Sequence, residues 1–375
     1  MNHEPHPTNH EELISCLQLI NSDSIGPITF YKLIRSFGSA QSALASLKQE
    51  IFPREKAERE LEAAHQKGVH ILTFTNPDYP QKLKEIRDAP PILYVLGTPK
   101  LLNHPQSLSI VGARNASILG RKTASRIAYD LTNNNVLIVS GLARGIDAAA
   151  HKGALYALDQ SGPTVAVLGT GVDIPYPEEN RNLYEQIKCQ GAIVSEFPLG
   201  TTPQANNFPR RNRIIAGLTC GTLVVEAAAK SGSLITSRFA REQNRHIFAI
   251  PGSPQDARAL GPNQLIKNGA VLVDNYQDII NILSTAPIKN LKTLVDKPPR
   301  PVARGDKRTA LKLEEPIPRK ASDLLDMLNT SGTHIDELVR ETGLDSTTLS
   351  LRLLELELSG CIERQPGNII VKIKK

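Results

Sequence analysis

VLIVSGLARGID, residues 136–147, begins as an unbroken apolar, mostly β-branched run and ends as a glycine-rich turn leading into a helical stretch. Such a run without polar alternation is what a strand needs when helices cover both faces of its sheet. The same pattern recurs along the chain as LSIVG (108–112), TVAVLG (164–169), AIVSE (192–196), TLVVEA (222–227), HIFAIPG (246–252) and AVLVD (270–274). Between most of these runs lie segments long enough for a helix, such as Arg121–Leu131 and Asp147–Leu158. Strands alternating with helices predict an α/β domain with a doubly wound, mostly parallel sheet. In such sheets ligands sit beyond the carboxyl ends of the strands.

Outward from this centre the chain changes character. Residues 11–70 read as short helices, with Leu13, Ile14, Leu17 and Ile20 at helical spacing and Ile25-Gly26-Pro27 and Phe37-Gly38 as breaks. This predicts a small helical domain of the SAM or helix-hairpin-helix kind over 1–75, ahead of the α/β domain at 76–286. Residues 287–320 hold six prolines and ten Lys/Arg against four Asp/Glu, an excess equal to the +6 of the whole chain. This stretch reads as a basic tether. The overall charge therefore says nothing about the folded domains, and a polyanion site must be sought in local clusters. Residues 321–375 read as helix-turn-helix, capped at Asp345 or Ser346, followed by a hairpin turning at Gln365–Asn368, which together make a winged helix. Its second helix offers Arg352 against Glu355 and Glu357, a poor match to phosphate, so packing or partner binding is expected of it.

With 375 residues, 40% of them apolar, the chain can build a sizeable core in two or three domains. The four cysteines are scattered with no CxxC pair, which argues against a zinc site and a disulfide framework and for a reducing, cytoplasmic setting. MNHEPHPTNHEE lacks the basic and apolar regions of a signal peptide, and no apolar run approaches membrane-spanning length. No metal or cofactor is expected: GARNASILGRKT (112–123) fails the P-loop spacing, and no dinucleotide fingerprint follows the first strand.

The strand-end loops carry the chemistry. They hold Gly112 and Arg114; Ser140, Gly141, Arg144 and Gly145; Phe208, Arg210, Arg211, Asn212 and Arg213; and Lys230, Gly232 and Ser233. Glycines let backbone N–H groups approach an anion, and the following helix N-termini favour negative charge. Converging at one sheet edge, these residues form a phosphate-binding design. Asp147, Asp173, Glu196 and Glu226 read equally as acid–base or magnesium groups and as helix caps, loop anchors or partners for the arginines, and at least one of Arg210, Arg211 and Arg213 is expected to face such an internal acid. His151, with no partner ligand nearby, reads as a packed histidine.

Val111-Gly112-Ala113-Arg114, SGLARGID (140–147), GTGVDIPYP (169–177), SEFPLGTTP (195–203), FPRRNRIIAGL (208–218), VVEAAAKSGSLIT (224–236) and FAIPG (248–252) together resemble the DNA-processing protein A (DprA/Smf) family. The resemblance spans about 107–275 and extends, more thinly, to both flanking domains. It implies an extended Rossmann-like fold that binds single-stranded DNA in a basic pocket without catalytic turnover. It implies a homodimer that displaces single-strand-binding protein and loads the RecA recombinase during natural transformation. The family's pocket falls on Gly112, Arg114, Ser140, Gly141, Arg144, Gly145, the Phe208–Arg213 segment, Gly232 and Ser233; Ala113 stands where serine is common. A competing expectation is a nucleotide or nucleoside-monophosphate hydrolase on a related fold, with Gly221-Thr222 and a catalytic Glu226 but without that class's double glycine. A third is a double-stranded-DNA regulator acting through the winged helix.

Overall fold

A computed structural model describes residues 10–47, 50–157, 164–284 and 324–373, apart from 326, 329–331, 343, 345–347, 350–351, 354–355, 358–360 and 366–368. The basic tether, the Asp345 or Ser346 cap and the 366–368 turn lie outside the described residues.

All seven apolar runs are strands: β3 (Ser107–Val111), β4 (Leu137–Ser140), β5 (Thr164–Val167), β6 (Ala192–Ser195), β7 (Gly221–Val224), β8 (His246–Ala249) and β9 (Val271–Leu272). They are joined by two strands the runs did not announce, β1 (Val69–Thr73) and β2 (Ile92–Gly97). The sheet order is β1-β2-β6-β5-β4-β3-β7-β8-β9. All pairings from β6 to β9 are parallel, whereas β2 runs antiparallel to both β1 and β6. β3 to β7 are buried along their whole length, which accounts for their missing polar alternation. Their few polar side chains are paired inside the sheet, as when Ser109 Oγ and Thr222 Oγ1 meet at 2.7 Å across β3 and β7.

Strand order reverses between β3 and β7: β4, β5 and β6 follow on one side of β3, and β7, β8 and β9 on the other. A crevice opens at such a switch point, beyond the carboxyl ends of the strands. The helices after β3 and β4 are α6 (Ile118–Asn133) and α7 (Ile146–Leu155), and α9 (Asn207–Gly217) precedes β7. After β7 comes α10 (Ser233–Glu242).

The N-terminal unit comprises α1 (His10–Asn21), α2 (Pro27–Phe37), α3 (Ala40–Ser46) and α4 (Arg54–Gln66) around Ile14, Leu17 and Phe30. The Glu12 carboxylate accepts the Ala40 N–H at 2.7 Å and so fixes the start of α3. The unit shares one apolar cluster with the sheet through Ile92, Tyr94 and Ile193, and the buried Tyr94 hydroxyl donates to Glu60 at 2.5 Å. The C-terminal unit has a three-stranded sheet in the order β10 (Thr333–His334), β12 (Ile369–Lys372), β11 (Ile362–Gln365), with α13 (Ile335–Thr342) beside it. Its core, built on Leu328, Leu338, Leu349 and Leu353, includes Ile118 from the start of α6.

Candidate functional site

The loop after β3 turns at Gly112 and reaches α6 through Arg114, which is exposed. The loop after β4 crosses close beneath it. Gly145 has φ +76°, and a Cβ there would lie 2.2 Å from the Ala113 carbonyl oxygen, so only glycine lets the two loops touch. In the same loop the buried Leu142 adopts φ 56°, a costly value for leucine, and its carbonyl accepts the Asn180 side-chain amide at 2.9 Å.

FPRRNRI is a helix, not a loop, so its residues fan out in steps of about 100°. Arg211 falls three and four residues before Ile214 and Ile215 and turns inward with them. It is 5% exposed and donates one guanidinium N–H to the Gly141 carbonyl at 2.8 Å and another bond to the Val167 carbonyl. A Cβ on Gly141 would sit 2.6 Å from that guanidinium. Burial pushes the Arg211 pKa down to about 10, while the nearby Asp147 carboxylate draws it back up, so the group keeps its charge at neutral pH. Burial likewise raises the Asp147 carboxyl, against the pull of Arg211 and of the Gly141 N–H at 3.1 Å.

Arg213 is the arginine that faces an internal acid. Its two terminal nitrogens donate to both oxygens of Glu196 at 2.7 and 2.8 Å, with Asp88 3.1 Å from its Nε. Burial alone would lower its pKa, but Glu196 and Asp88 together raise it. Arg211 and Arg213, both expected at a phosphate, are thus buried here, with their guanidinium groups bonded to partners inside the protein. Ser140, expected beside them, likewise has a fully buried hydroxyl, which donates to the Ile110 carbonyl at 2.6 Å.

Four cations of the strand-end loops stay at the surface. Arg114, Arg144, Arg210 and Lys230 are exposed around the crevice. Arg144 has an exposed partner in Glu179 at 3.3 Å, and Arg210 leans on the rim of the Arg213–Glu196 pair, with Glu196 3.4 Å away and its guanidinium over the Phe197 ring. Phe208, half-buried at the start of α9, has the Arg114 guanidinium 5.7 Å from its ring centre. The Tyr176 ring lies 5.3 Å from it, tilted by 34°. Tyr176 is 37% exposed and was absent from the expected set, although the strand-end loop containing it, GTGVDIPYP, was among the motifs. Asn212 reaches across to the Gly232 carbonyl at 3.4 Å and so ties α9 to the Lys230–Ser233 loop. Gly232 itself has open space where a Cβ would stand.

The switch point already holds an anion. Glu226, just after β7, accepts the Ser117 N–H at 2.9 Å and the Ser117 hydroxyl at 2.5 Å, which places a carboxylate on the N-terminus of α6. In nucleotide-binding sheets of this class that helix terminus receives a phosphate. The side-chain oxygens of Asp173 accept from Lys67 at 2.6 Å and from the Gly200 N–H at 2.8 Å. Among the described residues no cluster of His, Cys, Asp and Glu could hold a metal, and no helix is long and apolar enough to cross a membrane.

His151 is fully buried, with Nδ1 2.7 Å from the Thr164 hydroxyl. Burial lowers its pKa from 6.5 to about 3. Between those values the unfolded chain binds a proton that the folded chain refuses. Its contribution is therefore intact above about pH 6.5 and drains away as pH falls, by about 1.4 kcal/mol per pH unit. Urea midpoints measured from pH 7 to pH 4 are expected to fall less steeply in His151→Gln than in the parent; equal slopes would assign the acid sensitivity to other groups.

Residues 70–284 match the family described as DNA recombination-mediator protein A, residues 309–368 its winged helix domain, and residues 10–63 its N-terminal helix-hairpin-helix domain. The chain belongs to the DNA recombination-mediator protein A (DprA) family. It is 38% identical over 333 residues to Protein Smf of Synechocystis, covering 82% of this chain and 81% of that protein. Among solved structures it is similar to DprA of Streptococcus pneumoniae, with a TM-score of 0.58, 34% identity, and coverage of 72% of this chain and 95% of the other. It is similar also to DprA of Helicobacter pylori, whose structure concerns its single-stranded DNA binding mode: TM-score 0.52, 29% identity, covering 57% of this chain and 95% of that one. A DNA-processing, recombination-mediator role follows for this DprA family member, on a mostly parallel α/β sheet flanked by helix-hairpin-helix and winged-helix domains.

Proposed function

We propose that the crevice binds single-stranded DNA, and that the protein shields an incoming strand, displaces single-strand-binding protein and loads RecA during natural transformation. It does this as a cytoplasmic homodimer without catalytic turnover. The observation that carries the reading is Phe208, close to the Arg114 guanidinium and the half-exposed Tyr176 ring, on strand-end loops that also carry the exposed Arg144, Arg210 and Lys230. An aromatic platform ringed by cations suits an unpaired base and its phosphates, because every base has a stacking face and a duplex hides it. The single-stranded DNA binding mode of the H. pylori relative supports the same assignment. In this reading Arg114, Arg144, Phe208, Arg210, Lys230 and Ser233 face the strand. Gly112, Ser140, Gly141, Gly145, Arg211, Asn212, Arg213 and Gly232 shape the loops that present them.

The test is anisotropy of a fluorescein-labelled oligo-dT beside a matched duplex across a salt series. Binding preferred for the single strand, weakened by salt and weakened about tenfold by Phe208→Ala, is expected, since one lost stack costs about 1–3 kcal/mol. Equal affinity for duplex, or indifference to Phe208→Ala, would move the site away from the crevice. RecA filament growth on strands coated with single-strand-binding protein tests the loading step, and sedimentation tests the dimer. The nucleotide-hydrolase alternative needs Glu226 free for chemistry. Its engagement by Ser117 supports a structural role, and release of free base from nucleoside monophosphates is expected to be nil.

A further inference from the structure

The winged-helix unit packs on the α/β domain at the start of α6, through two ion pairs as well as apolar contact. On α13, Glu337 and Glu341 stand four residues apart on one face. Glu341 pairs with Arg121 at 2.9 Å, and Glu337 pairs with Lys122. Both cations lie on the first turns of α6, and Arg121 also donates to the Ala116 carbonyl at 3.0 Å, at the end of the loop that carries Arg114. Arg121 is therefore about 6 Å along the helix axis from the Ser117 cap. The two units also meet at the buried Ile118 and through a hydrogen bond from Arg258 to the Leu328 carbonyl at 2.7 Å. Lys122 and Glu341 keep 59% and 41% side-chain exposure, so these pairs are in reach of solvent and are screened by salt.

We propose that Arg121 and Lys122 form a second phosphate-contacting surface, continuous with the Arg114 loop, which the carboxylates of Glu337 and Glu341 occupy in place of a nucleic acid strand. The inference rests on the single-strand reading of the crevice and extends it. A short strand fills the crevice and leaves the winged helix docked. A longer strand runs on over α6 and exchanges its phosphates for the two carboxylates, so the winged helix is released as the strand lengthens. Two exposed ion pairs suit this role because each is weak enough for a competing polyanion to replace. The acidity of the winged helix, which disfavours a grip on DNA, is what a cover for a basic surface requires.

The experiment uses the full chain and oligo-dT of about six and about thirty nucleotides, read by anisotropy at low salt. Glu337→Gln with Glu341→Gln is expected to raise affinity for the longer strand about fivefold and to leave the shorter one unchanged. Neutralising two distant acids, Glu55→Gln with Glu62→Gln on α4, measures the effect of net charge alone. Arg121→Ala with Lys122→Ala is expected to lower affinity for the longer strand about tenfold and to abolish the gain when combined with the glutamine pair. Equal gains from the α4 control, no gain from the glutamine pair, or no loss from Arg121→Ala with Lys122→Ala would overturn the proposal while the crevice reading stands. Failure of the short strand to bind the parent and every variant would overturn both.

Discussion

Arg211→Ala is expected to lower the melting temperature by about 10 °C, although the residue sits in a conspicuously basic stretch of the chain. The alanine removes the guanidinium that bonds the Gly141 and Val167 carbonyls and leaves Asp147 buried beside an empty space. Breaking a buried charge pair from one side costs about 3–5 kcal/mol. In a domain of this size each kcal/mol is worth about 2–4 °C. The measurement is differential scanning calorimetry of Arg211→Ala beside the parent. Any accompanying loss of DNA binding would then follow from the displaced Gly141 loop, not from a missing phosphate contact. An unchanged melting temperature would mean that Arg211 turns outward, and it would return to the set of groups that meet the strand.

The second large effect has the opposite profile. Arg114→Ala combined with Arg210→Ala is expected to weaken binding of oligo-dT about a hundredfold and leave the melting temperature within about 2 °C. Both side chains are exposed, and truncations at such places seldom cost more than a few tenths of a kcal/mol. Each lost charge-assisted bond to phosphate is worth about 1.5–3 kcal/mol, roughly tenfold or more in affinity. The slope of log K against log salt should also become shallower by about 0.7 per phosphate released, about 1.4 for the pair. Full affinity with an unchanged slope in the double variant would place the strand elsewhere on the molecule.

These two arginine experiments mark the limit of what residue types alone reveal. The seven apolar runs were legible because a strand buried on both faces has no alternative spelling, and the strand-end loops followed from them. β1 and β2 were not legible. HILT and ILYVLG lie beside the helical unit and need no crossover helix to join the sheet antiparallel, so the alternation that exposed the other strands never reaches them. The candidate site was legible as a location, but its division into inner and outer residues was not. Arg210, Arg211 and Arg213 are chemically identical, and their fates differ only through helical phase. That phase becomes readable once Ile214, Ile215 and Leu218 are taken as the inward stripe, which puts Arg211 on it. Tyr176 was missed because its partner Phe208 lies more than thirty residues away in sequence, and only the folded loops bring the rings together.

The carboxylate of Glu226 on the first turn of α6 has a physiological corollary. In nucleotide-binding sheets of this class that one helix terminus is where a cofactor's phosphates would sit. Here the terminus carries its own permanent tenant. Added nucleoside triphosphate is therefore expected to leave an oligo-dT titration unmoved, because its phosphates find that helix end already filled.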